Sequence, residues 1–171
     1  EHEHLVEDVI ELDDDLLEQL AVVAPRDALA EDPVVLRYAR ERVGEIVILE
    51  EAKSYRLGDV TFETPVRHIH VETETYGMNF HTGTKTISYI ADTRFFPELI
   101  DHYTGAVLIM NVPRYTNPKD YEVDHLTVAD ARRIIEGVRP EVAILTHFGM
   151  TTARSGPSPG RWPPPWKRKP A

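Results

Sequence analysis

Apolar residues along the chain follow two different spacings, one typical of strands and one typical of helices. Short apolar runs predict strands at 21–24, 45–49, 106–112 and 142–145, and the last two runs are continuous enough to indicate strands covered on both faces. Between those two runs apolar residues recur at helical spacing. The helix that they predict opens at Thr127 and buries one face, made of Val128, Ala131, Ile134, Ile135 and Val138.

The middle of the chain carries hairpin signals instead. Residues 55–66 predict a hairpin that turns at 57–59, and residues 76–80 are predicted to pair with 86–91. Further helices are predicted from Asp32-Pro33 to Gly44 and over 97–103. Strands that alternate with helices, with antiparallel hairpins between them, predict an α/β layered sandwich.

Composition narrows the chemistry more than the fold. The 171 residues include no cysteine, which excludes disulfides, zinc-thiolate sites and thiol nucleophiles, so any metal must be held by His, Asp or Glu. The formal net charge of −10 gives the protein no overall attraction for polyphosphates. We find no signal peptide and no apolar run of bilayer length, so we expect a cytoplasmic protein without a membrane partner.

Three segments differ in character. Residues 1–20 are an acidic leader, residues 21–154 carry the strand and helix patterns, and residues 155–171 are a Pro-rich basic tail. The tail contains six of the thirteen prolines together with Trp162 and Trp166. Because proline at this density prevents helices and central strands, we expect the tail to be disordered or extended.

Polar residues with metal-binding side chains stand at the ends of apolar strands. Asp92 follows the run 86–91, His147 follows the run that begins at 142, and His68 and His70 end a strand that passes through 65–66. Imidazole and carboxylate groups suit Zn²⁺, Mn²⁺ or Fe²⁺, and a carboxylate can bridge two metals through its two oxygens. Taken singly, a histidine after a strand is more often a hydrogen-bonded structural residue, and an aspartate there is usually a turn residue.

Whole segments of the chain add weight to the metal interpretation. The segments 86–93, 143–149 and 64–77 resemble, in order and spacing, the metal-binding segments of the metallo-β-lactamase fold superfamily. This resemblance implies an αββα sandwich and a hydrolase in which a metal-bound hydroxide attacks the substrate. It implies His70, Asp92 and His147 as ligands of two zinc ions, with manganese or iron as alternatives. His68 remains an alternative ligand to His70.

One further segment resembles the ribonuclease Z branch of that superfamily. His125-Leu126-Thr127, followed by Asp130-Ala131, is similar to a histidine-bearing segment of that branch. The resemblance implies that His125 assists proton transfer to the leaving group. It also implies a phosphodiester or phosphate-like ester as substrate, either a small molecule or a nucleotide or RNA. The structural alternative for His125 is a simple neighbour of a helix N-terminus.

The chain also departs from the family pattern. For the first family motif, His-x-His-x-Asp-His, only His2 and His4 are candidate metal ligands. In one register they are its first two histidines, with Val6 and Glu7 in the places of the Asp and the final His; in the other, Glu3-His4 stands for the closing Asp-His. The structural alternative is an acidic leader with two incidental histidines. Compared with the family pattern, we also expect the fold to lack its first strands and its last segment, which predicts an exposed apolar face and association of the chain with itself. The alternative function is a catalytically inactive remnant or a scaffold that keeps the fold without a complete dinuclear site.

Overall fold

The computed structural model describes residues 18–30, 37–118 and 123–150, which belong to two compact units, 1–50 and 51–171. The described part of the first unit contains strand β1 (Ala21–Ala24), a 3₁₀ turn (Arg26–Leu29), helix α1 (Arg37–Arg40) and strand β2 (Glu45–Ile48). The two strands pair in parallel, as is usual when a helix connects them. The predicted strands at 21–24 and 45–49 are confirmed. His2, His4, Asp32-Pro33 and the tail at 155–171 lie outside the described residues.

The second unit is built on a six-stranded sheet whose strands follow one another in sequence order. The first four strands form an antiparallel meander, and the last three run parallel to one another. Two helices make the parallel crossovers. The elements are β3 (Lys53–Leu57), β4 (Val60–Thr64), β5 (Met78–His81), β6 (Thr86–Ile90), α2 (Glu98–His102), β7 (Val107–Asn111), α3 (Val128–Val138) and β8 (Val142–Thr146).

Both predicted hairpins are confirmed. The β3–β4 pair turns at Gly58, whose φ of 56° is a left-handed value that glycine adopts without a steric penalty. The β5–β6 pair turns at Gly83, whose φ is 82°. These turns place β6, the first of the three parallel strands, in the middle of the sheet.

The core of this unit lies between the parallel strands and the two helices. Leu108 and Met110 alternate along β7 and are fully buried, as period-2 spacing requires for one face of a strand. They pack with residues of both helices, including Leu99, Ala131 and Ile134. The predicted helix at 128–138 is confirmed together with its capping box, in which the side chains of Thr127 and Asp130 each accept from the other residue's backbone N–H.

Two sequence-based expectations are wrong. The strand at 142–145 is not covered on both faces, because β8 is the outermost strand of the described sheet and Val142 and Ile144 are about half exposed. The strand predicted to carry His68 and His70 ends earlier, at Thr64. Pro65 has no backbone N–H to continue the ladder, so both histidines lie in the loop that follows. No described helix has the length and apolar character needed to cross a membrane.

Candidate metal centre

The three parallel strands bring polar residues to one edge of the sheet. Asp92 lies two residues after β6, Asn111 is the last residue of β7, and His147 follows β8 directly. Because these strands run in the same direction, their carboxyl ends meet, and α/β proteins place their sites at such ends. The strand order therefore brings together residues that are 55 positions apart in the sequence, Asp92 and His147.

Asp92 presents its two carboxylate oxygens to two different histidines. Its Oδ1 lies 3.9 Å from Nδ1 of His125, and its Oδ2 lies 3.6 Å from Nε2 of His147. The side-chain Nδ2 of Asn111 donates a hydrogen bond to Asp92 Oδ1 at 3.2 Å, and the Tyr89 hydroxyl donates to the side-chain Oδ1 of Asn111 at 3.3 Å. Asn111, at the end of the neighbouring strand β7, thus orients the carboxylate of Asp92.

His70 completes a compact cluster with Asp92 and His125. One donor atom of each of these three residues lies within 4.8 Å of the other two. The hydroxyl of Thr73 donates to the His70 carbonyl oxygen at 2.7 Å, so it accepts from the ring Nδ1 at 2.9 Å. That bond leaves the lone pair on Nε2 of His70, which is the arrangement in which a histidine binds a metal.

The loop that carries His70 is tied to the segment that carries Asp92. The backbone N–H of Ile69 donates to the hydroxyl of Thr93 at 3.0 Å, and the backbone N–H of Arg94 donates to the Ile69 carbonyl at 3.0 Å. Thr93 is fully buried. The residues next to the two candidate ligands are therefore hydrogen-bonded to each other, which restricts how far His70 and Asp92 can move apart.

His125 is held at the start of α3 with one ring nitrogen buried. Within 18–30, 37–118 and 123–150, its Nδ1 has no hydrogen-bond partner. Burial lowers the pKa of His125, and the nearby carboxylate of Asp92 opposes that shift. The neutral ring is consequently the main form at pH 7, and an imidazole must be neutral to donate its lone pair to a metal.

His147 differs from the other members in its backbone and its exposure. Its φ of 60° lies in the left-handed region, which is uncommon for a residue other than glycine and is found at functional sites. Its side chain is 57% exposed. His147 therefore approaches Asp92 from the solvent side of the site, at the free edge of the described sheet.

This donor set fits a divalent transition metal. Tetrahedral bonds of about 2.1 Å separate neighbouring donors by roughly 3.4 Å, so the distances of 3.6 and 3.9 Å need only small side-chain shifts. Among the described residues, the buried Nδ1 atoms of His125 and His68 both have no hydrogen-bond partner, and such a nitrogen is costly unless something binds it. Two oxygens that face two histidines also suit a carboxylate shared by two metals.

His68 is not one of the three clustered donors, although its ring lies near the backbone of Asp92. Its Nε2 is 2.9 Å from the hydroxyl of Tyr103, and its ring packs edge-on against Phe96. Burial lowers the pKa of His68 to about 4, so this ring is neutral in the folded protein at pH 7. A Cβ on Gly77 would lie 2.8 Å from the His68 ring, so only glycine leaves room for it there. Of the two histidines in the loop, the structure brings His70 to the cluster.

Asn111 and Thr93 are among the site residues that sequence reasoning missed. Asn111 and Thr93 orient Asp92 and the His70 loop through the hydrogen bonds described above. A signal for Asn111 was present, because it is a polar residue inside the apolar run 106–112. Thr93 carried no such signal, since a threonine beside a turn is common in every class of protein.

Comparison with known proteins identifies the fold. The sequence model of the family described as "beta-lactamase superfamily domain" matches residues 2–148. A protein of Methanocaldococcus jannaschii, MJ1374, is 31% identical over 123 residues, which cover 68% of this chain and 44% of that protein. The chain therefore spans less than half the length of this curated relative.

Solved structures agree with the family match. The metallo-β-lactamase fold protein YhfI from Bacillus subtilis is similar with a TM-score of 0.65 and 21% identity over 78% of this chain and 53% of that one. A structure described as a new diphosphatase from the PhnP family has a TM-score of 0.60 and 21% identity, and covers 77% of this chain and 48% of that one. The predicted α/β metallo-β-lactamase-type fold is thus confirmed, as a partial one.

Proposed function

The chain belongs to the metallo-β-lactamase superfamily, and on that premise we propose that it is part of a metal-dependent hydrolase that acts on a phosphodiester or a phosphate-like ester. The observation that carries this proposal is the convergence of donor atoms from His70, Asp92 and His125 within 4.8 Å, with His147 3.6 Å from Asp92. Metal binding is the chemistry that these residue types perform when they meet in this way.

The side chains divide into holding and orienting roles. His70 and Asp92 would hold one metal, and Asp92 and His147 would hold a second. When bound there, zinc, manganese or iron would supply Lewis acidity toward the substrate and lower the pKa of coordinated water, to about 7 for zinc. Asn111 and Thr73 keep Asp92 and His70 in the orientation and tautomer that binding requires.

His125 is proposed to act on the leaving group. The resemblance of its segment to the ribonuclease Z branch supports this role, as does the distance of 3.9 Å between its Nδ1 and Oδ1 of Asp92. Its lowered pKa leaves the ring neutral at pH 7, so His125 would first take the proton that the attacking water loses and then pass it to the leaving oxygen. Its buried Nδ1 also suits a metal ligand, and the experiment below separates the two roles.

The substrate class rests on charge and on one relative. The positive charge of Arg114 acts on His125 and contributes to the lowering of its pKa, so a cation lies near the cluster despite the net charge of −10. A cation in this position favours an anionic substrate. The similar structure that is described as a diphosphatase acts on a phosphate compound by its name, and this supports the same class for the chain.

Metal analysis tests the proposal most simply. We expect the purified chain to bind zinc, manganese or iron, or to take one up on reconstitution. Asp92→Ala should lose more metal than His125→Ala, because both oxygens of Asp92 face candidate ligands. Asp101→Ala, which removes an exposed carboxylate on α2, is the matched control and should keep the wild-type metal content.

The same variants separate ligand from proton donor in turnover of bis(4-nitrophenyl) phosphate. His125→Ala should slow turnover by about 10²–10⁴-fold while it keeps most of the metal. Equal metal loss in the two site variants would instead assign His125 as a ligand. A chain that purifies without metal and cannot be reconstituted would support the alternative, an inactive remnant or scaffold.

A further inference from the structure

We propose that Asp124 is a positioning residue that clamps the His70 loop and thereby sets the spacing between His70 and His125. The proposal rests on the proposed function only in that a metal ion is taken to bind beside His70. The contacts of Asp124 themselves are formed without metal. Asp124 is not one of the three clustered donors, so it would support the site without being a metal ligand.

The contacts of Asp124 join the segments that carry the candidate ligands. Its Oδ2 accepts a hydrogen bond from the backbone N–H of Val71 at 2.7 Å, and its Oδ1 lies 3.8 Å from Nε of Arg94. In sequence, Asp124 is next to His125, and Val71 is next to His70. One carboxylate therefore connects a loop after β4, a segment after β6 and the entry to α3.

The backbone of Val71 has an unfavourable conformation that the bond to Asp124 can stabilise. Val71 has a φ of 49°, a left-handed value that a β-branched residue rarely adopts. Its side chain is 74% exposed, so packing does not compensate the unfavourable conformation. The bond from its N–H to a carboxylate is charge-assisted, and such bonds are short and strong. We infer that Asp124 holds Val71 in this conformation.

The conformation of Val71 bears directly on His70. The left-handed residue turns the chain so that the N–H of Thr73 reaches the His70 carbonyl at 3.1 Å and the Thr73 hydroxyl reaches both that carbonyl and the ring. These bonds choose the tautomer of His70 and aim its Nε2. If the clamp opened, Val71 would return to an ordinary φ and this turn would not form.

Two measurements test the clamp, one of them without metal. In the metal-free protein, hydrogen exchange followed by NMR should show the Val71 amide at least ten-fold less protected in Asp124→Ala than in wild type. Asp124→Asn keeps an acceptor oxygen and should restore part of that protection. The control Asp101→Ala should leave it unchanged.

The second measurement is the affinity for Zn²⁺ itself, titrated into the chain. Asp124→Ala should bind zinc about 10–100-fold more weakly, and Asp124→Asn should lose less. In the Val71→Gly background the left-handed turn forms without a penalty, so Asp124→Ala should there cost less affinity than it does beside valine.

The outcomes distinguish this proposal from the proposed function. A wild-type chain that binds no zinc contradicts the metal site. The clamp is then still tested by the hydrogen exchange of the Val71 amide in the metal-free protein. Unchanged protection of that amide in Asp124→Ala overturns the clamp. Unchanged zinc affinity in the same variant, with wild-type zinc binding intact, overturns its positioning role. A loss of zinc affinity of equal size in both backgrounds would assign Asp124 a role that does not pass through Val71.

Discussion

At the residue scale, the site depends on which atoms face one another, and sequence spacing alone determines only part of this. Asp92 and His147 could be predicted because each comes after an apolar strand. The resemblance favoured His70 over His68, but their positions after a predicted strand did not separate the two, because the outcome depends on the direction of a loop that begins where Pro65 interrupts the strand. One oxygen of Asp92 faces His125 and the other faces His147. This arrangement depends on three-dimensional packing and could not be predicted from the sequence.

His68 provides a prediction about acid stability at this scale. Its pKa is about 4 in the folded protein and about 6.5 when unfolded, so the unfolded state binds an extra proton between these values. The stability that the neutral ring contributes is present above pH 6.5 and is lost as the pH falls toward 4, by about 3 kcal/mol in total. Urea unfolding of the metal-free chain at several pH values between 7 and 4 measures this loss.

The variant His68→Gln removes the titrating ring and should flatten the dependence of unfolding free energy on pH. His81→Gln is the control, because His81 is an exposed histidine on β5. The slope with pH is the quantity compared, so a variant that is less stable overall is still informative. The same slope in His68→Gln and wild type would show that burial of His68 does not govern acid stability.

At the scale of elements, local signals were sufficient where each element depends on its own residues. The capping box of Thr127 and Asp130 and the turn at Gly58 are read from a few adjacent positions, and the structure confirms them. The exposure of β8 could not be read in that way. An apolar run looks the same in a central strand and in an outer one, and the position of β8 depends on the order of the whole sheet.

Two isoleucines on neighbouring elements test this account of the core. Ile134 on α3 is fully buried, whereas Ile144 on β8 is 45% exposed. Ile134→Ala should lower the free energy of unfolding by about 2–5 kcal/mol, because it leaves a cavity in the core. Ile144→Ala should lower it by less than about 1 kcal/mol. Urea unfolding compares the two variants, and equal losses would mean that β8 is covered as fully as the helix.

At the scale of the whole molecule, the four candidate site residues belong to one compact unit. His70, Asp92, His125 and His147 all lie within 51–171. The order of their segments along the chain was enough to predict the superfamily, since the resemblance depends on sequence order and spacing. The two metals that the resemblance implies stay a prediction, because their number depends on distances between side chains and on the first family motif, whose candidates His2 and His4 lie outside the described residues.

The central claim is that His70 and Asp92, which lie beside His125 and His147, hold a metal ion. Crystals of the chain grown with zinc, with diffraction measured on both sides of the zinc absorption edge, test it directly. We expect an anomalous peak about 2.0–2.2 Å from a ring nitrogen of His70 and from a carboxylate oxygen of Asp92. A zinc-saturated crystal with no peak between these two side chains, or with peaks only at other surface carboxylates, would contradict the claim.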